Sequence, residues 1–263
     1  AQTGESPFDF AVVDECQDLS VTKLRFLATL GNHRADCLFF AGDLGQRIFQ
    51  TPFSWQTLGV NVRGRSHTLT INYRTSHQIR RQADRLLPAA LADVDGNVEN
   101  RRGTISIFNG PPPQIHTHED AETEIQFVSQ WIGERLAAGL HPQEIGVFVR
   151  TADQLPRAMA AITLSGAPAV ELDEQIAHDE HSIVAGTMHL AKGLEFRAVV
   201  VMACDDEVLP LQSRIEEVTD ESDLEEVYNT ERHLLYVACT RAREHLLASG
   251  VEPASEFLDD LGG

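Results

Sequence analysis

Two acidic residues directly follow an apolar run near the start of the chain. Asp14 and Glu15 come after Ala11–Val13, a run typical of a buried parallel strand, and open α/β sheets bind ligands at the carboxyl ends of such strands. In nucleoside triphosphatases an acid at this position holds Mg²⁺, and a second acidic or amide side chain orients or deprotonates the attacking water. A pair of acids that begins the next helix would explain the pattern equally well.

A glutamine and an arginine follow two further apolar runs. Gln46 lies just beyond Ala41, Gly42 and Asp43, where its amide could sense a terminal phosphate, although a generic β-turn explains the glycine and the aspartate as well. Arg74 comes shortly after the run at 68–71. It could bind a phosphate as a bidentate donor or form a surface ion pair.

Two longer segments in the C-terminal half combine polar and basic residues. Residues 187–196, TMHLAKGLEF, connect two apolar runs, and loops of this kind often carry function. Residues 231–243 are typical of a helix that ends in Arg241 and Arg243, but basic residues favour helix C-termini on electrostatic grounds alone. Taken singly, each motif fits a functional or a purely structural role.

Apolar runs of strand length alternate with segments of helical period along the chain. The runs lie at 8–13, 37–41, 68–71, 105–108, 145–149, 183–188 and 198–203, and the helical segments at 21–30, 76–87, 121–138 and 155–164. This alternation predicts an α/β fold, with a mostly parallel sheet covered by helices.

The charge balance is acidic but uneven. The 263 residues include 21 Lys and Arg against 40 Asp and Glu, a net charge of −19, which argues against non-specific coating of duplex DNA. The segment 63–85 nevertheless has six arginines and one acid, and a focused positive site can bind an anion on an acidic protein. The segment 205–226 has ten acids and Arg214, which predicts a solvated loop or a site for a protein partner.

Several classes of protein and site are disfavoured. The four cysteines are widely separated and form no CxxC pair, so neither a zinc knuckle nor a disulfide framework is expected. The sequence has no run near the ~18 apolar residues of a membrane span, and we expect a cytoplasmic protein. Residues 116–120 and 178–181 contain metal-binding residue types, but no accompanying pattern indicates a metal site there.

In order and spacing, the motifs resemble motifs II to VI of the UvrD/Rep-like superfamily 1 DNA helicases. They are DECQD at 14–18, GDLGQ at 42–46, NYRTS at 72–76, TMHLAKGLEF at 187–196 and LLYVACTRAR at 234–243. The resemblance implies ATP-driven translocation on single-stranded DNA or DNA junctions by two RecA-like domains, with a role in DNA repair. Residues 1–62 would end the first domain and residues 63–263 form the second, with an accessory domain absent or vestigial.

The resemblance also implies a role for individual residues. Those that would bind ATP and Mg²⁺ are Asp14, Glu15, Gln46, Arg74, Glu195 and Arg241. Asp14 and Glu15 would hold the metal, and Glu15 would also activate the hydrolytic water. Gln46 would contact the γ-phosphate, Glu195 would contact the ribose, and the two arginines would act as arginine fingers. The residues that would lie against DNA are Phe49, Trp55, Thr187 and His189.

The chain departs from this family by having no GxxxxGK[ST] phosphate-binding loop. Its lysines are Lys23 and Lys192, neither of which lies in such a sequence. We therefore expect the chain to be the C-terminal part of a longer helicase, and to bind ATP weakly without turning it over. A helicase-like module that binds DNA or protein without hydrolysis is the alternative. An unrelated magnesium-dependent phosphohydrolase would use Asp14 and Glu15 but leave the two arginine motifs unexplained.

Overall fold

The computed structural model describes residues 8–31, 36–46, 48, 54–62, 64–96, 98–100, 103–173 and 181–263. The chain divides into two compact units: unit 1 is Ala1–Leu69 with Ala89–Gly103, and unit 2 is Thr70–Pro88 with Thr104–Gly263. The sequence places a single boundary between residues 62 and 63. The assignment of the two parts to two RecA-like domains stays a prediction.

The strands of the described residues are β1 (Ala11–Val13), β2 (Leu38–Phe40), β3 (Ile71–Asn72), β4 (Ala90–Ala92), β5 (Val98–Asn100), β6 (Ile105–Ser106), β7 (Gln114–His118), β8 (Ile145–Val149), β9 (Ala169–Glu171), β10 (Ile183–Thr187), β11 (Phe196–Val201) and β12 (Ala242–Val251). The α-helices are α1 (Val21–Gly31), α2 (His77–Ala83), α3 (Ala121–Ala137), α4 (Leu155–Leu164), α5 (Gln212–Glu216), α6 (Glu221–Cys239) and α7 (Glu256–Gly262). No helix among these described residues combines the length and the apolar character that crossing a membrane requires.

Unit 2 is built on a parallel sheet. Six of the described strands form it in the order β7-β12-β11-β8-β10-β9, and every strand pair in it is parallel. All five residues of β8 are buried, as expected for a central strand whose two faces are both covered. Helices α3 and α4 contribute Val128, Trp131 and Ile162 to the same core, and α6 packs against β11 and β12. The predicted α/β fold, a parallel sheet flanked by helices, is confirmed.

Unit 1 is smaller and contains a two-stranded parallel sheet. Strands β1 and β2 pair in register from Ala11 with Leu38 to Val13 with Phe40. Helix α1 connects them and buries Leu24 completely, in a small core with Ala28 and Val60. Strands β4 and β5 form an antiparallel pair in the same unit.

The acidic segment at 205–226 is partly helical, so the prediction of a loop is wrong, while a protein partner for it stays a prediction. It contains α5 and the start of α6. Asp220 caps α6 by accepting a hydrogen bond of 2.9 Å from the amide of Asp223. Asp205 pairs with Arg157 at 2.6 Å and accepts from the Val251 amide at 2.7 Å. Acids at helix starts and beside an arginine stabilise local structure. The acidic residues of the segment other than Asp205 are nevertheless exposed to solvent.

Candidate functional site

The carboxyl edge of the β1–β2 sheet brings together the first two motifs. Because the strands are parallel and in register, Asp14 and Glu15 follow β1 at the same edge where Gly42 and Asp43 follow β2. The pairing continues past both strands, since the Cys16 amide donates to the Ala41 carbonyl at 2.9 Å. Asp14 and Glu15 are both exposed, so their carboxylates are accessible to a ligand at this edge.

A chain of hydrogen bonds links the two motifs through a buried glutamine. Gln17, which is 3% exposed, donates from Nε2 to Glu15 Oε2. Its Oε1 accepts from the Asp43 amide at 3.1 Å, and Asp43 Oδ2 in turn accepts from Gln46 Nε2 at 2.9 Å. Glu15 and Gln46 are predicted from the sequence, whereas Gln17 is not, because its signal is a single amide within the DECQD motif.

The acidic pair has the chemistry of a magnesium site. Magnesium prefers oxygen ligands and is usually held by one or two carboxylates together with water and substrate phosphates. Asp14 is exposed and accepts from the Glu15 amide at 2.9 Å through Oδ1, and the Glu15 carboxylate follows in sequence. Two adjacent carboxylates therefore fit an ion that is also bound by water and by a phosphate.

Arg74 and Glu195 form an ion pair in unit 2. Arg74 Nε lies 3.0 Å from Glu195 Oε2, and the two side chains are 49% and 43% exposed. The turn that presents Arg74 is held by Asn72, whose Oδ1 accepts from the amides of Arg74 and Thr75 at 2.7 and 3.1 Å. Two residues that the sequence assigns to one nucleotide site therefore lie side by side.

Arg241 lies inside unit 2 rather than at its surface. Its side chain is 1% exposed and its Nε donates to the Val237 carbonyl at 3.0 Å. Nη1 lies 3.5 Å from the Leu194 carbonyl, and the Phe196 amide donates to the Arg241 carbonyl at 3.0 Å. Arg241 thus holds both sides of Glu195 in place, and its side chain would have to turn outward to meet a phosphate.

His189 lies near a buried ion-pair cluster. Arg150, at the end of β8, donates from Nε and Nη2 to both carboxylate oxygens of Glu231, each at 2.6 Å. Glu231 is fully buried and Arg150 is 5% exposed, while the more exposed Arg214 reaches Glu231 at 3.0 Å. Burial lowers the pKa of His189, the charge of Arg150 lowers it further, and Glu231 opposes the shift. His189 is therefore expected to be neutral near pH 7.

Because His189 is neutral in the folded chain, we predict that lowering the pH destabilises unit 2. The pKa of His189 is below its ordinary 6.5 in the folded chain, so between the two values the unfolded chain binds more protons and stability falls as the pH drops. Between about pH 7.5 and about pH 5.5, His189→Gln is expected to lose less stability than the wild type. Urea titrations at several pH values measure this, and equal losses in both proteins would contradict it.

Comparison with known proteins identifies part of unit 2. Residues 159–252 match the model of the UvrD-like helicase C-terminal domain. This part of the chain is a UvrD-like helicase C-terminal domain. It contains α4 from Met159 onward, then β9, β10, β11, α5, α6 and β12. The resemblance to the UvrD-like helicases is confirmed.

Individual relatives agree with this family. The chain is 45% identical to a protein of Bacillus subtilis that carries the name "Putative ATP-dependent DNA helicase YjcD", over 73 residues that make up 27% of this chain and 9% of that protein. It is 22% identical to the ATP-dependent DNA helicase UvrD2 of Mycobacterium tuberculosis over 90% of this chain and 47% of that protein. The chain thus spans about half the length of UvrD2.

A solved structure is also similar. It is the C-terminal domain of a possible DNA helicase from Lactobacillus plantarum, with a TM-score of 0.46 and 18% sequence identity, and the match covers 72% of this chain and 94% of that one.

The UvrD-like domain contains four of the residues that the sequence assigns to nucleotide or DNA. Thr187 ends β10, and the next amide, of Met188, donates to the Val149 carbonyl at 2.8 Å. His189 follows in the same loop. Arg241 contacts Leu194 and Phe196, the residues on either side of Glu195, at the start of β11. Arg74 lies outside this domain in sequence but pairs with its Glu195.

The aromatic residues suggested for DNA lie in unit 1. Phe49 lies outside the described residues. Trp55 is half-buried and packs edge-on against Phe40, with ring centroids 5.0 Å apart, beside the small core of Leu24 and Val60. Packing therefore occupies part of the Trp55 ring, and its contact with DNA stays a prediction.

The histidine-rich segment at 116–120 has a packing role in the described structure. The ring of Phe127 lies 4.6 Å from His116 and 5.0 Å from His118, measured between centroids. Burial and the charges of His116 and Arg157 lower the pKa of His118. Of the other segment, at 178–181, the structure describes His181 alone.

Proposed function

We propose that this chain is the C-terminal portion of an ATP-dependent DNA helicase or translocase that couples ATP hydrolysis to movement on single-stranded DNA. The observation that carries the proposal is the junction at Glu195 in the UvrD-like domain. There Arg74 pairs with Glu195 at 3.0 Å, and Arg241 reaches the Leu194 carbonyl. Three residues with assigned roles at a nucleotide are thus connected in one place.

The proposed hydrolysis gives each of the assigned residues a role. Asp14 and Glu15 would hold Mg²⁺, which when bound neutralises charge on the phosphates. Glu15 takes a proton from the attacking water, whose oxygen bonds to the γ-phosphorus as the bond to the β–γ bridging oxygen breaks and ADP leaves. Gln46 contacts the γ-phosphate and Glu195 the ribose. Arg74 stabilises the negative charge that develops on the phosphoryl group, a function for which a guanidinium is well suited. Arg241 does the same once its side chain turns outward from the Val237 carbonyl.

The proposed DNA contacts come from a loop and from aromatic rings. Thr187 and His189, at the end of β10 and just after it, contact the strand. Phe49 and Trp55 stack on bases, which contributes about 1–3 kcal/mol per base in other single-strand-binding proteins. We further propose that residues 1–62 and 63–263 belong to two RecA-like domains. Since the sequence contains no GxxxxGK[ST] loop, we expect hydrolysis from a polypeptide that supplies one.

Substitution of Glu15 tests the proposed hydrolysis. In the full-length product of the same reading frame, Glu15→Gln is expected to lower kcat about 10²-fold or more, because it removes the proton acceptor and keeps the side-chain volume. The KM for ATP and the affinity for single-stranded DNA should change little. Steady-state hydrolysis with and without single-stranded DNA measures this.

The matched control is Glu225→Gln, an exposed glutamate on α6 that makes the same chemical change and should leave kcat at the wild-type value. Wild-type hydrolysis by Glu15→Gln would contradict the role of Glu15. A wild-type protein that does not hydrolyse ATP at all would contradict the proposed function.

A further inference from the structure

Building on the proposed function, we propose that Gln17 is a positioning residue for hydrolysis: it aims the Glu15 carboxylate at the attacking water and connects it to Gln46. Gln17 touches neither the water nor the phosphates in this proposal. It acts through the residues on either side of it in the hydrogen-bond chain. The position of the water-activating carboxylate is thereby coupled to the side chain that senses the γ-phosphate.

The Gln17 amide is held in one orientation from both ends. Its oxygen accepts from the Asp43 amide at 3.1 Å, and a backbone amide can only donate. The Nε2 group must therefore point the other way, where it donates to Glu15 Oε2. With 3% exposure, the side chain has little water to replace either partner. A glutamate or an alanine at this position cannot make both bonds.

Glu15 depends on its surroundings for its position. Its backbone is in the left-handed region, at φ 51° and ψ 42°, which is uncommon for a residue other than glycine. Such conformations persist when neighbouring contacts hold them, and they concentrate at functional sites. The contact that fixes the carboxylate end is the bond from Gln17, so loss of that bond would free the side chain of a residue whose backbone is already strained.

The other end of the chain of bonds reaches Gln46. The Asp43 carboxylate accepts two hydrogen bonds, from Gln46 Nε2 to Oδ2 at 2.9 Å and from the Gly45 amide to Oδ1 at 2.8 Å. The Asp43 amide donates to Gln17 Oε1. A phosphate that draws Gln46 towards it would change the bond to Asp43. Through the Asp43 backbone and Gln17, that change would reach Glu15.

Gly42 provides a second way to disturb Gln17. A Cβ atom at this position would lie 2.5 Å from Gln17 Oε1 and 2.6 Å from Cys16 Sγ, closer than atoms can approach without one of them moving. Gly42→Ala would therefore displace the Gln17 amide while leaving its chemistry intact, as a test independent of changing Gln17 itself.

The experiment measures kcat, KM and the pH profile of hydrolysis in the full-length protein. Gln17→Ala is expected to lower kcat by about 10- to 100-fold, as for loss of a hydrogen bond to a charged group, with KM for ATP nearly unchanged. Gln17→Glu places a second carboxylate beside Glu15, so the acid limb of its kcat profile should move to higher pH. Gly42→Ala should lower kcat like Gln17→Ala. The control is Gln56→Glu, an exposed residue of unit 1 with the same change of charge.

The outcomes separate this inference from the proposed function. If the wild type shows DNA-stimulated hydrolysis while Gln17→Ala and Gln17→Glu keep its kcat and its pH profile, the inference is overturned and the proposed function stands. If Gln17→Glu melts at a lower temperature but its profile does not move, Gln17 is structural and the inference is again overturned. A wild-type protein without hydrolysis overturns the proposed function, and the inference with it.

Discussion

Replacing Arg74 with alanine is expected to lower kcat for DNA-stimulated ATP hydrolysis by about 10³-fold or more, the effect of removing an arginine finger. The guanidinium is half exposed and paired with Glu195 at 3.0 Å, so it is accessible for contact with a phosphate. Steady-state hydrolysis by the full-length protein with saturating single-stranded DNA measures the effect.

Three comparisons separate this effect from a loss of folding. A half-exposed ion pair contributes about 0–1 kcal/mol to stability, so Arg74→Ala should melt close to the wild type. Arg81→Ala removes an exposed arginine from α2 nearby in sequence and should hydrolyse ATP normally. Arg74→Lys keeps the charge but loses the planar fork of donors, so it should restore only part of the rate. Near wild-type hydrolysis by Arg74→Ala would contradict the assigned role.

Replacing Glu231 with alanine is expected to destabilise unit 2 by about 3–5 kcal/mol, the cost of leaving a buried charge without its partner. The carboxylate is fully buried and accepts both bonds from Arg150 at 2.6 Å. Without it, the Arg150 guanidinium would stay buried and unneutralised. The substitution also removes the partner of Arg214, which adds to the loss of stability.

Tryptophan fluorescence can measure this change in unit 2 by itself. The chain has two tryptophans: Trp131 belongs to the core of unit 2 and Trp55 to unit 1. In a Trp55→Phe background, urea unfolding followed by Trp131 reports on unit 2. Glu225→Ala, on the exposed side of the same helix, should change stability by less than about 0.5 kcal/mol. A urea midpoint for Glu231→Ala close to that of the Trp55→Phe parent would contradict the proposed contribution of the Arg150–Glu231 pair to stability.

The sheet of unit 2 could be predicted from the sequence because burial on both faces leaves an unbroken apolar run. The runs at 145–149 and 198–203 both have this pattern, and the strands that they predict, β8 and β11, lie in the sheet centre. Elements at the edges of the fold were harder to predict. The run at 68–71 predicts a strand, whereas β3 is Ile71–Asn72, because a two-residue pairing with β6 is set by the neighbouring chain rather than by local hydrophobicity.

The candidate site could be predicted as a set of residues but not as a set of contacts. Motif order places Arg241 at the end of a helix, yet it does not reveal that the guanidinium turns inward to the Val237 carbonyl. Gln17 has no distinguishing pattern, since its importance depends on the register that brings Asp43 next to it. Side-chain direction and cross-strand register arise from packing, which motif spacing does not contain.

Movement along single-stranded DNA is the central claim, and translocation kinetics test it most directly. The full-length protein is bound to single strands of increasing length that carry a fluorophore at one end, and ATP is then added. A motor predicts a delay before the fluorescence change that grows in proportion to strand length, and Glu15→Gln should abolish the change. Arrival times that do not depend on length, or a signal of equal size without ATP, would contradict the claim.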